Sequence, residues 1–263
     1  MQKLFLLASL LMGLSAPGWA QEPVDARALA VADEMVEAMG GQTAWDHVRY
    51  LRFDFVVERE GAEVARVRHL WDRHLGRYRV EWKDREGREL QAFFNVNTRS
   101  GRVWVHGEPA RDEDEQTHLD RAYGRFINDT YWLLMPWKLK DPGVKLEYVG
   151  ERRLAGQTYD LLHLSFDNVG LTPGDHYWVY VNRTTRRMDR WAYFLQSFEG
   201  APSLEKATPW RWQEWEDFGG LRLSREKVQE EGGTRIHFPV LAVLERVDDR
   251  VFESPETALP GEP

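Results

Sequence analysis

The sequence predicts a mostly β protein: one curved antiparallel sheet or barrel of roughly a dozen strands, with a helix near the N-terminus and a second helix interrupting the strands mid-chain. Three observations predict it. Apolar and polar residues alternate with a period of two in run after run, turn residues divide these runs at short intervals, and the alternation gives way twice to three- and four-residue spacing. The composition fits, because 12 Trp equal 12 Phe and exceed 9 Tyr, and aromatic side chains favour strands.

The N-terminus reads as an export signal. Lys3 gives a short basic region, Leu4 to Leu14 an apolar core, and Gly18-Trp19-Ala20 the small residues of a cleavage site. Residues 1–20 are expected to be removed, with cleavage after Ala20 and delivery to a periplasm; a retained N-terminal anchor helix is the alternative. The remaining 243 of 263 residues suit one domain of the larger all-β type, spanning 21–252, followed by a frayed tail at 253–263. The chain holds no cysteine, which removes disulfides, thiolate metal sites and a cysteine nucleophile from the account. Its net charge of −8 argues against nucleic acid or an anionic membrane surface as the main partner. No segment is long and apolar enough to span a bilayer as a helix, which takes about 20 residues.

The first helix follows from Ala28, Leu29, Ala32, Met35, Val36 and Met39 on one face, with Asp33, Glu34 and Glu37 on the other and Gly40-Gly41 as its stop. Leu51, Phe53, Phe55 and Val57 then alternate with Arg52, Asp54 and Glu58, a long strand with one wet face. Further strands are expected at 64–70, 77–83, 90–96 and 102–106, and again at 145–153, 158–166, 176–182, 187–195, 210–218, 221–230 and 234–244. Tyr78, Val80 and Trp82 alternating with Arg77, Arg79 and Glu81 again give one solvated face.

Between the two groups of strands, Asp112 to Glu115 place acid at a helix start. Leu119, Ala122, Tyr123, Phe126, Ile127, Thr130, Tyr131 and Leu134 follow the helical repeat, and Pro136 is expected to end it. Trp132, Leu133 and Met135 make the last turns apolar all round, so this end must be enclosed. The concave side or mouth of the curved sheet is the simplest enclosure.

Catalytic signatures are absent: no nucleophile elbow in the mature chain, no H-E-x-x-H, no phosphate-binding loop and no dinucleotide fingerprint. No catalytic residue, metal ligand or cofactor is assigned. His69 and His74 flank a turn and read as surface hairpin residues rather than a zinc pair. Asp167-Asn168 and Asp175-His176 bracket a Gly- and Pro-containing loop that reads as a strand connection, with an envelope enzyme drawing acid and base from this loop, residues 167–176, as the alternative. Aromatic clusters stand out in three strands: Tyr177, Trp178 and Tyr180; Trp191, Tyr193 and Phe194; Trp210, Trp212 and Trp215. These either pack the sheet or line a cavity.

With its export signal, N-terminal helix closed by Gly40-Gly41, long first strand, mid-chain helix among about eleven strands and closing VFESPE, the chain resembles the periplasmic lipoprotein-carrier superfamily, the LolA/LolB-like half-barrels. The segments GGQTAW (40–45) and YWLLMPWKLKDPG (131–143) are similar to an exported bacterial family without assigned function. The resemblance implies an unclosed barrel of about 11–12 strands whose concave side, lidded by helix, holds acyl chains or another apolar ligand. Tyr131, Trp132, Met135 and Trp137 would form the lid or plug, and Trp178, Tyr180 and Trp191 the lining. The expected partner is a lipid or acylated ligand, with a lipoprotein or another envelope protein as the alternative on the same surface.

Overall fold

A computed structural model describes residues 25–167 and 171–261; the expected signal segment and its cleavage site lie outside them. Three α-helices, α1 (Ala26–Ala38), α2 (Gly41–His47) and α3 (Asp112–Lys138), accompany one antiparallel sheet. Its strands are β1 (Tyr50–Arg59), β2 (Ala62–Asp72), β3 (Arg77–Lys83), β4 (Glu89–Asn95), β5 (Gly101–Val105), β6 (Glu108–Pro109), β7 (Val144–Leu154), β8 (Gln157–Phe166), β9 (His176–Asn182), β10 (Met188–Phe194), β11 (Thr208–Phe218), β12 (Leu221–Gln229), β13 (Thr234–His237) and β14 (Leu241–Leu244). The order runs β6-β5-β4-β3-β2-β1-β13-β12-β11-β10-β9-β8-β7, with β14 also on β1. β6 and β7 remain as free edges, so the sheet is curved but not closed.

Two more strands appear than the pattern predicted. β6 has only two residues, too few to show a period. The single strand expected over 234–244 is divided at Pro239, which has no N–H for a ladder; β13 pairs with the second half of β1 and β14 with the first.

α1 is capped by Asp25, whose Oδ1 accepts from the backbone N–H groups of Arg27 (3.0 Å) and Ala28 (2.9 Å). Its Oδ2 accepts from the N–H of Tyr148 (2.7 Å), which fastens the helix to the edge strand β7. These backbone donors hold the Asp25 carboxyl below its ordinary range. α1 ends as expected, with Gly40 at φ 114°; a Cβ there would sit 2.1 Å from the Gly220 carbonyl oxygen, so only glycine fits. The chain then enters a second helix, α2, which carries Trp45.

α3 fills the concave face, and its acidic first turn lies where the sequence predicted it. Pro136 does not end this helix, which runs on to Lys138. Pro136 falls in the last turn, with only Trp137 and Lys138 after it, and is buried like Leu133, Leu134 and Met135. The apolar end of α3 is enclosed as expected: Leu133, Leu134 and Met135 are buried in the core with Phe53, Phe55, Val80 and Leu164.

The faces expected to be wet on β1 and β3 are covered. Arg52, Asp54, Arg79 and Glu81 are all buried, because the C-terminal segment crosses the outer face of β1 to β4. Arg79 Nη1 donates to the carbonyls of Val251 (2.9 Å), Ser254 (3.3 Å) and Thr257 (2.7 Å), and Arg52 Nε donates to that of Pro260 (3.1 Å). Val251, Phe252 and Leu259 form an outer core with Tyr50 and Leu70. The tail over residues 253–261 is thus a packed strap and not a frayed end.

Candidate functional site

β9 and β10 place aromatic rings on both faces of the sheet by strict alternation. Trp191 lies opposite Val179, and Ala192 opposite Trp178. Tyr177, Val179, Trp191 and Tyr193 therefore face α3, while Trp178, Tyr180 and Phe194 face outward. On the inner side, the C-terminal half of α3 and the segment 141–144 stand off from β8 to β10 and leave a cavity of about 540 Å³. That is a size typical of small-molecule sites, roughly 300–1,000 Å³.

Tyr131 and Trp132 of α3 form one wall, and Tyr177, Trp191 and Tyr193 of the sheet the other. Tyr131 lies 5.4 Å from Tyr177 between ring centres, Tyr177 lies 5.2 Å from Trp191, and Trp132 sits edge-on to Trp191 at 4.6 Å. Ile127, Val144, Phe166 and Leu195 complete the apolar lining. Leu171, 55% exposed, stands at the mouth, where Lys138 Nζ lies 3.4 Å from Asp141 Oδ2. The Tyr131 hydroxyl and the Trp191 indole N–H are buried and have no hydrogen-bond partner among the described residues. Burial and the nearby carboxylates of Asp141 and Asp175 push the Tyr131 hydroxyl well above its ordinary range, so it remains a donor.

Of the seven ligand-binding residues expected from the sequence, Tyr131, Trp132 and Trp191 are brought together in this cavity. The other four are placed elsewhere. Met135 is fully buried in the main core, and Trp137 stacks on Trp45 at 5.7 Å. Trp178 and Tyr180 lie on the opposite face, covered by Phe198, Leu204 and Ala207. The outer face of β9 is thus covered by residues of the segment 198–207. Tyr177 and Tyr193 were missed; their parity with Trp191 across the β9–β10 pair was the available signal.

One expectation about a polar residue is corrected, and one alternative is not supported. His69 is fully buried, not on the surface. Its Nε2 lies 3.1 Å from Asp129 Oδ2 on α3 and its Nδ1 lies 2.9 Å from the Tyr78 hydroxyl. An imidazole with Nε2–H donating to the carboxylate and Nδ1 accepting from the phenol satisfies both contacts, and burial holds its pKa below 6.5. This triad ties the middle of α3 to β2 and β3. Asp175 and His176 do not form an acid–base pair: the Asp175 carboxylate turns to the cavity side, whereas His176 Nδ1 bonds His163 Nε2 at 2.9 Å on the outer face. Among the described residues no cluster of His, Asp and Glu has the arrangement of a metal site.

Comparison with known proteins gives likeness of fold. Solved structures similar to this chain include a DUF1329 family protein from Desulfovibrio piger, at 11% identity and a TM-score of 0.48, covering 86% of this chain and 97% of that one. They also include a LolA superfamily protein from Nitrosomonas europaea, at 11% identity and a TM-score of 0.46, covering 86% and 96%. No family model and no curated protein matches the chain.

Proposed function

We propose that this chain binds a hydrophobic, lipid-like or acyl-bearing ligand in the cavity between α3 and β8 to β10, as a carrier in the periplasm of the cell envelope. One observation carries the reading: a cavity of about 540 Å³ with aromatic walls, open at a mouth where an apolar side chain stands in water. Burial of a ligand's apolar surface supplies the affinity, at about 25 cal/mol per Å² before the costs of association. The unpartnered Tyr131 O–H and Trp191 N–H offer donors to orient a polar group. Among the described residues no helix is long and apolar enough to cross a membrane, which suits a carrier that leaves the bilayer.

Native mass spectrometry of protein purified from the periplasm without detergent, followed by organic extraction, tests the reading. A defined added mass that extracts as a lipid is expected. Substituting Val144, which lines the cavity at the start of β7, by tryptophan should fill the space. Val144→Trp is expected to lose binding of an apolar fluorescent probe with an unchanged far-UV spectrum. Equal probe binding by this variant would place the ligand elsewhere.

A further inference from the structure

Asp175 is 3% exposed and lines the cavity, yet among the described residues it has no ion-pair partner. Its carboxylate is held rigidly. Oδ2 accepts from the Thr172 hydroxyl (2.6 Å) and the Tyr177 hydroxyl (3.3 Å), and Oδ1 accepts from the N–H of Gln196 (2.8 Å). Three neutral donors fix its position without neutralising its charge. A buried carboxylate ordinarily has a cation beside it, because desolvation of an isolated charge costs several kcal/mol. Lys138, the lysine of this cavity's lining, is at the mouth with Asp141, and the imidazole of His176 faces the other side of the sheet.

The rings around Asp175 are of the type that accepts a cation. Tyr177 follows it by two residues, Tyr131 and Trp191 stand 5.4 and 5.2 Å from Tyr177, and Tyr193 lies 6.2 Å from Trp132. Rings of this kind present negative faces to an ammonium group, and aromatic boxes bind quaternary ammonium ions by this attraction. A fixed carboxylate with no counter-ion among the described residues, set among tyrosine and tryptophan rings, lacks the cation that both of them favour.

We infer that the ligand of this cavity is a cationic amphiphile, whose ammonium group lies against Asp175 within the aromatic walls while its alkyl part follows the apolar lining. This rests on the reading of the cavity as a hydrophobic ligand site, and adds the charge of the ligand to it. An anionic head such as a free carboxylate is rejected by the same group.

Three probes with one twelve-carbon chain separate the possibilities: dodecyltrimethylammonium, dodecyl maltoside and dodecanoate, each below its micelle concentration and read by tryptophan fluorescence. The ammonium probe is expected to bind roughly tenfold more tightly than the neutral one, and dodecanoate most weakly. Asp175→Asn, which keeps the size, can still accept from the Gln196 N–H through its Oδ1 and can turn its amide N–H to the Thr172 and Tyr177 hydroxyl oxygens, should erase the preference while the neutral probe still binds. Glu205→Gln, the same charge change on an exposed outer turn, should keep it and so exclude a general attraction to an acidic protein. Equal binding of the three probes to the unaltered protein overturns the cationic ligand and leaves the cavity reading standing. Binding of none overturns the cavity reading itself.

Discussion

Lys227 sits among core side chains with its surface wholly covered. Its Nζ donates to the Ser224 carbonyl (2.6 Å) and lies 4.3 Å from the ring centres of Trp212 and Phe238. Burial holds the amine well below its ordinary 10.5. At pH 7 the unfolded chain therefore binds a proton that the folded one resists, and the linked stability rises as pH climbs towards 10.5. Lys227→Met should raise stability at pH 7 by about 1 kcal/mol or more and flatten the rise between pH 7 and about 10, as read by urea unfolding. An unchanged pH slope in that variant would mean that the amine is charged in the fold. None of this was legible in the sequence, where Lys227 reads as one more polar residue of an alternating strand. The same holds for His69 and Asp129, which meet only because α3 crosses β2. At the cavity, the residue types were legible and their faces were not. The aromatic run of β9 offers rings at both parities, and nothing local says which parity α3 covers.

Among the elements, the C-terminal strap is the one the sequence hid most completely. Prolines, glycine and acids over residues 253–263 have the composition of a loose end, and the arginines beneath them have the alternation of a wet face. The strap works through its backbone: carbonyls of residues 251–260 accept from Arg79 and Arg52, and among the described residues beyond Phe252 Leu259 alone supplies a deeply buried side chain. Backbone acceptors leave no mark in a residue pattern. Deleting residues 253–263 should lower stability by about 3 kcal/mol or more, since it uncovers Leu70 and Tyr50 and removes two of the three carbonyls that accept from Arg79. Thermal melts of the truncated and full chains measure this, and an unchanged melting point would make the strap an ornament. The helices lie at the other extreme. α1 and α3 were legible because a glycine stop, an acidic first turn and apolar spacing are local signals; the short α2 escaped, and so did the end of α3, at a proline close enough to the terminus to be tolerated.

At the scale of the molecule, the sheet was legible as one antiparallel system because period-two runs and turns recur from residue 50 to residue 244. Its order was not, since pairing of β1 with β13 and β14 joins segments that share no local signal. That pairing makes the two groups of strands one structure. Urea unfolding followed by tryptophan fluorescence and by far-UV circular dichroism should give coincident single transitions; separated midpoints would show the halves folding independently. The same pairing has a cost in time. β1 meets β2 across a tight turn, but Val56 lies opposite His237, so one edge of this strand stays bare until nearly the whole chain has been made and has closed a long loop. Throughout that interval Leu51, Phe53 and Phe55 line one side of a strand paired along one edge alone, the surface where nascent copies would stick to one another and where a chaperone has most to protect.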